Sequence, residues 1–186
     1  MIIKTFELEK LRKNKSTFIL LYGQNEGFKN QVIKDFLSDG LEKNITKYEE
    51  NEVINSYDNF INQIKNKSFF DDKKIIIISR STEKIFKTIE NLLDDNYEDT
   101  KIIINAGILE KKSKLRNNFE KNKNLVCIPV YPDNDLSLSK IAGTFFKKKQ
   151  IPISQQMINL LVERCRGDRE NLNNELEKIE SFSKNK

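Results

Sequence analysis

Four runs of apolar residues confine this chain to one class of fold. They are Phe18–Tyr22, Ile75–Ile78, Ile102–Ile104 and Leu125–Val130. A strand with one wet face alternates apolar and polar residues; these runs do not alternate, so both faces must be buried. Ile45–Tyr48 is a shorter fifth strand candidate, followed by Glu49–Glu52, which reads as an acidic loop. Between the runs the period changes. Tyr57, Phe60, Ile61 and Ile64 recur at helical spacing, as do Ile85, Ile89, Leu92 and Leu93. Phe28–Leu37 and a short stretch around Leu115 and Phe119 read as helices too. Strands alternating with helices predict an α/β fold, a parallel five-stranded sheet flanked by helices.

After Pro129 and Pro132 the strands stop. Leu136–Lys149, Ser154–Arg164 and Arg169–Phe182 read as three consecutive helices. Ser154 is a natural N-cap, Gly167 ends the middle helix, and Asp168 can cap the last. The expected organisation is an α/β domain over 1–135 and a small all-helical lid over 136–186. This is the layout of AAA+ modules, which the chain resembles in its element order.

Composition narrows the chemistry. There is no His, which removes imidazole catalysis and His–metal ligation. Cys127 and Cys165 are too few and too far apart for a disulfide framework or a zinc site. No metal and no cofactor are expected. No apolar stretch approaches the roughly 20 residues of a membrane span, and the N-terminus lacks the apolar block of a signal peptide. The expected setting is cytoplasmic, with no membrane partner. Residues 1–99 hold 16 Lys and Arg against 18 Asp and Glu; residues 100–186 hold 17 against 10. That basic second half suits either a solvated lysine-rich surface or a nucleic-acid partner.

The first strand feeds Gly23-Gln24-Asn25-Glu26-Gly27-Phe28-Lys29-Asn30. This is a phosphate-binding loop, G-x-x-x-x-G-K-[ST], with parts replaced. Gly23 and Lys29 keep their spacing, and Gly27 lies one place early. Phe28 stands where the second glycine lets the backbone approach phosphate, and Asn30 stands where a hydroxyl binds Mg²⁺. The strands Ile75–Ile78 and Ile102–Ile104 run into Ser79-Arg80 and Asn105-Ala106, so neither supplies the acid that metal binding needs. With three parts missing, ATP hydrolysis is not expected. Lys29 either meets an anion at the helix N-terminus or stays exposed in the first turn. Arg169 sits where active AAA+ lids carry an arginine that reaches the phosphates. Without a competent loop it reads as a sensor-like relic or an ion-pair partner.

Attention therefore moves to Phe69 and Phe70. The stripe of the preceding helix would continue at Ser68, which leaves both rings off it. Two adjacent aromatics flanked by polar residues either cover the sheet edge or anchor a partner's apolar pocket.

Four segments, in this order, are similar to the delta subunit of the bacterial DNA polymerase III clamp loader. They are Phe18–Gly23, Ser68–Ile77, Leu109–Arg116 and Gly167–Ile179. The resemblance covers nearly the whole chain but only part of the family's length. It implies that a C-terminal helical collar domain is absent from this sequence, which would be a fragment ending after the lid. It also implies a mechanism: delta opens the ring-shaped sliding clamp by inserting an apolar pair. Here that pair is Phe69 and Phe70, with Ser68, Asn66 and Ile64 shaping or supporting it. The implied partners are the beta sliding clamp, the ATPase and delta prime subunits of the loader and, indirectly, primed DNA. Lys111, Lys112 and Lys114 are the candidates for DNA contact. On this reading the chain is not itself an enzyme but a subunit of a nucleotidyltransferase complex. Two alternatives remain: a divergent P-loop ATPase and a basic nucleic-acid-binding domain.

Overall fold

In the computed structural model, residues 1–12, 14, 16–37, 45–65, 74–93, 97 and 100–184 are described. Contacts divide the chain into two compact units, Met1–Gln24 with Val32–Val130, and Asn25–Gln31 with Tyr131–Lys186.

The first unit is built on a five-stranded sheet in the order β2-β3-β4-β1-β5. The strands are β1 (Phe18–Gly23), β2 (Ile45–Glu49), β3 (Lys74–Ser81), β4 (Thr100–Ala106) and β5 (Val126–Val130). Every pairing is parallel. The register matches the unbroken apolar runs: Ile19 lies beside Ile103 and Val126, and Ile76 beside Ile102. Phe18, Leu20, Ile76, Ile78, Ile102 and Ile104 enter one core cluster. The alternate residues Ile19, Leu21, Ile75, Ile77 and Ile103 are equally buried. The fold class is the α/β, AAA+-like arrangement expected.

Helices α1 (Glu9–Arg12), α2 (Glu26–Leu37), α3 (Glu50–Asn55), α4 (Tyr57–Lys65), α5 (Phe86–Leu93) and α6 (Lys114–Lys121) accompany the strands. The stripe of α4 buries Phe60 and Ile64, and that of α5 buries Ile89 and Leu92. The acidic stretch after β2 is not a loop. It forms α3, because its carboxylates find donors. Glu52 accepts from the Glu49 N–H at 2.7 Å. Buried Glu50 accepts from the Thr82 N–H at 2.6 Å and from its hydroxyl. The N-terminus also pairs with the sheet, Ile2 bridging Cys127 in parallel. Cys127 is buried, and desolvation pushes its thiol up to about 12, which keeps it protonated and unreactive.

In the second unit α7 (Asp135–Lys149), α8 (Gln155–Cys165) and α9 (Arg169–Lys184) pack around Leu138, Ala142, Phe146, Ile158, Val162, Leu172 and Leu176. The Ser154 hydroxyl accepts from the Met157 N–H, capping α8. That helix leaves through Arg166 in the left-handed region at φ 48°, ahead of Gly167 at φ 78°, so the turn takes two residues and not glycine alone. Asp168 caps α9, its carboxylate accepting from the Glu170 and Asn171 N–H groups at 2.8 and 3.1 Å. Among the described residues no helix is long and apolar enough to cross a membrane.

Candidate functional site

The loop after β1 has two structural glycines. Gly23 has φ 137°, and a Cβ there would lie 1.8 Å from the Val130 carbonyl oxygen. Only glycine fits that turn. Gly27 lies against the backbone of α9 in its own unit: a Cβ would come within 2.5 Å of the Glu170 nitrogen and 2.9 Å of its Cα. Backbone cannot yield as a flexible side chain does. Gly27→Ala should therefore destabilise the chain by about 1–3 kcal/mol through overpacking, measured by urea unfolding. A neutral result would mean that α9 is free to shift.

Asn25 is the N-cap of α2. Its Oδ1 accepts from the Phe28 N–H at 3.0 Å. Its Nδ2 donates to Asp133 Oδ2 at 2.7 Å and to the Tyr131 carbonyl at 3.2 Å. Lys29 is fully buried, and its Nζ lies 2.6 Å from Glu26 Oε1. It is thus neither an exposed first-turn lysine nor aimed at an outside anion alone; it has a carboxylate of its own helix. Asn30 is exposed.

Arg169, at the first position of α9, is the centre of the cluster and is 9% exposed. Its Nε and Nη2 donate to the two oxygens of Asp133 at 2.7 and 2.6 Å, a bidentate fork. Nη1 donates to Gln31 Oε1 at 3.1 Å. The guanidinium carbon lies 3.7 Å from the centroid of the Phe28 ring, a cation–π stack. Asp133 also accepts from the Ser137 hydroxyl at 2.8 Å. Its carboxylate therefore receives hydrogen bonds from three residues. Burial pushes the Asp133 carboxyl up, but the bonds from Arg169, Asn25 and Ser137 outweigh this and hold it below the ordinary aspartate value.

A depressed folded pKa has a definite sign. The stabilisation is fully present above the unfolded value, about 3.9, and is lost as pH falls through the folded pKa. Asp133→Asn should therefore flatten the acid limb of the stability curve below about pH 4, followed by circular dichroism. An unchanged acid limb would show that this carboxylate does not contribute.

The cluster gathers two residues that the loop motif singles out, Phe28 and Lys29, with Arg169 of the lid stretch. Sequence reasoning missed Asn25, Gln31 and Asp133. A buried arginine demands a carboxylate, and that demand was the only signal for Asp133, which lies 36 positions away. Of the residues assigned to clamp contact, Asn66, Ser68, Phe69 and Phe70 lie outside the described residues. Ile64 is 4% exposed and belongs to the sheet core, so it can act only by fixing the end of α4. Lys111, Lys112 and Lys114 are exposed, and Lys112 pairs with Glu110.

The sheet, the altered loop and the following segments match a known family as one stretch: residues 19–128 fit the model of the DNA polymerase III delta subunit. The chain belongs to that family. This delta-family chain is 21% identical over 181 residues to the probable DNA polymerase III subunit delta of Rickettsia prowazekii (strain Madrid E), covering 97% of this chain and 54% of that protein. It thus spans about half the length of that curated relative. Among solved structures it is similar to the Bacillus subtilis DNA clamp loader delta protein, with a TM-score of 0.61 at 14% identity over 95% of this chain and 57% of that one. Domain III of the Thermotoga maritima replication initiation protein DnaA is similar with a TM-score of 0.55 at 12% identity, over 96% and 82% of the two chains. At these identities the structural likeness is one of fold.

Proposed function

We propose that this chain acts in DNA replication as the clamp-binding part of a clamp-loader delta subunit, opening the sliding clamp with an apolar wedge and hydrolysing no ATP itself. Family membership across residues 19–128 carries this reading, because that stretch includes both the altered loop and Ser68–Lys74. Described residues on either side of that segment belong to the sheet core. Ile64, near the end of α4, is buried, and so are Ile75–Ile78 of β3, while residues 66–73 lie outside the described residues. The division into 1–135 and 136–186 is part of the same proposal, the lid carrying no chemistry.

Absence of turnover rests on Phe28, Asn30 and the strand ends without acids. Lys29, committed to Glu26, fits the same view. The purified chain with Mg-ATP should release no phosphate above background, and Lys29→Ala should change nothing. Turnover that disappears in Lys29→Ala would instead support a divergent ATPase. The proposed partners are the sliding clamp, the loader's ATPase and delta prime subunits, and primed DNA held by the assembled complex, with Lys111, Lys112 and Lys114 available to phosphates. Mixed with the cognate clamp on circular DNA, the chain should release the ring without nucleotide. Retention of the ring would count against clamp opening.

A further inference from the structure

We infer that the altered phosphate loop has become a latch, in which Arg169 and Asp133 do constitutively what a bound nucleotide would do: fix the first turns of α2 to the start of α9. This inference does not depend on clamp binding. A phosphate loop binds through three kinds of group: N–H groups at a helix N-terminus, a lysine ammonium and a cation from the lid. Each has a partner inside the chain. The Phe28 N–H goes to Asn25 Oδ1, Lys29 Nζ to Glu26, and the Arg169 guanidinium to both oxygens of Asp133.

The substitution that removes the loop glycine supplies the latch. Phe28 offers a ring face to the guanidinium at 3.7 Å, and no glycine could. Asn25 joins the two halves, capping α2 with one atom and bonding Asp133 with another. Gly27 permits the close approach that holds α9 against the loop, its position meeting Glu170 backbone. Buried, bidentate and stacked, the Arg169–Asp133 pair leaves no charge waiting for a triphosphate. The arrangement is thus complete without ligand, and nucleotide has nothing to add.

Hydrogen exchange on the intact chain tests this. In the wild type, the Phe28 and Lys29 amides should be protected equally with and without Mg-ATP. Arg169→Ala should speed their exchange by about tenfold or more, while the Ile102–Ile104 amides of β4 stay protected. If β4 also loses protection, Asp133→Asn and Gln31→Ala provide milder cuts, each expected to loosen Phe28 and Lys29 several-fold with β4 intact. Unchanged exchange at Phe28 and Lys29 in these variants overturns the latch. So does added protection of the wild type by Mg-ATP.

Discussion

Arg169→Ala is expected to destabilise the chain by about 3–5 kcal/mol, the range for breaking a buried ion pair by removing one partner. The reason is what is left behind. Asp133 is 7% exposed at its side chain and would keep its charge with only Asn25 and Ser137 as donors. Phe28 would lose its stacked cation, and Gln31 its donor. For a chain of this size each kcal/mol lowers the midpoint by about 2–4 °C, so the fall is on the order of 10 °C. Arg169→Lys should recover less than half of the loss, since an ammonium cannot make the fork or stack flat on the ring. A loss under about 1 kcal/mol would place this pair among ordinary surface ion pairs and remove the energetic basis of the latch.

The second large effect is on binding. Phe69→Ala with Phe70→Ala should lower affinity for the cognate sliding clamp by at least about 100-fold, with the fold intact. Burying two phenylalanine side chains is worth roughly 3–6 kcal/mol before ordering costs, and 1.4 kcal/mol is a factor of ten. Binding energy of that size can also open the ring, but only through the difference in affinity between open and closed states. The double variant should therefore lose opening together with binding. Loss of clamp affinity accompanied by loss of the unfolding transition would mean that the rings serve the sheet edge instead.

What could be read from the sequence follows from how local each cause is. The isoleucine runs state burial on both faces residue by residue, so β3 and β4 were legible to within three residues at each end. Ser154 and Asp168 announce their caps because the bonds close within three residues. The acidic stretch after β2 misled, because the donors that satisfy Glu50 belong to Thr82, 32 positions away. The Ile2–Cys127 bridge joins positions near the two ends of the first unit and leaves no local mark. At the site, the loop motif located Gly23, Phe28 and Lys29 and marked where they depart from a phosphate-binding pattern. It did not say where those side chains go, since the Arg169–Asp133–Phe28 contact joins three distant points of the chain. Lys29 was within reach: Glu26 stands at i−3, where a helix brings the two side chains together.

Direct titration of the cognate sliding clamp with this chain tests the central claim. Binding should be saturable without nucleotide, unaltered by Mg-ATP and abolished by Phe69→Ala with Phe70→Ala. A folded chain that fails to bind the clamp, or a double variant that binds as tightly as the wild type, would contradict it.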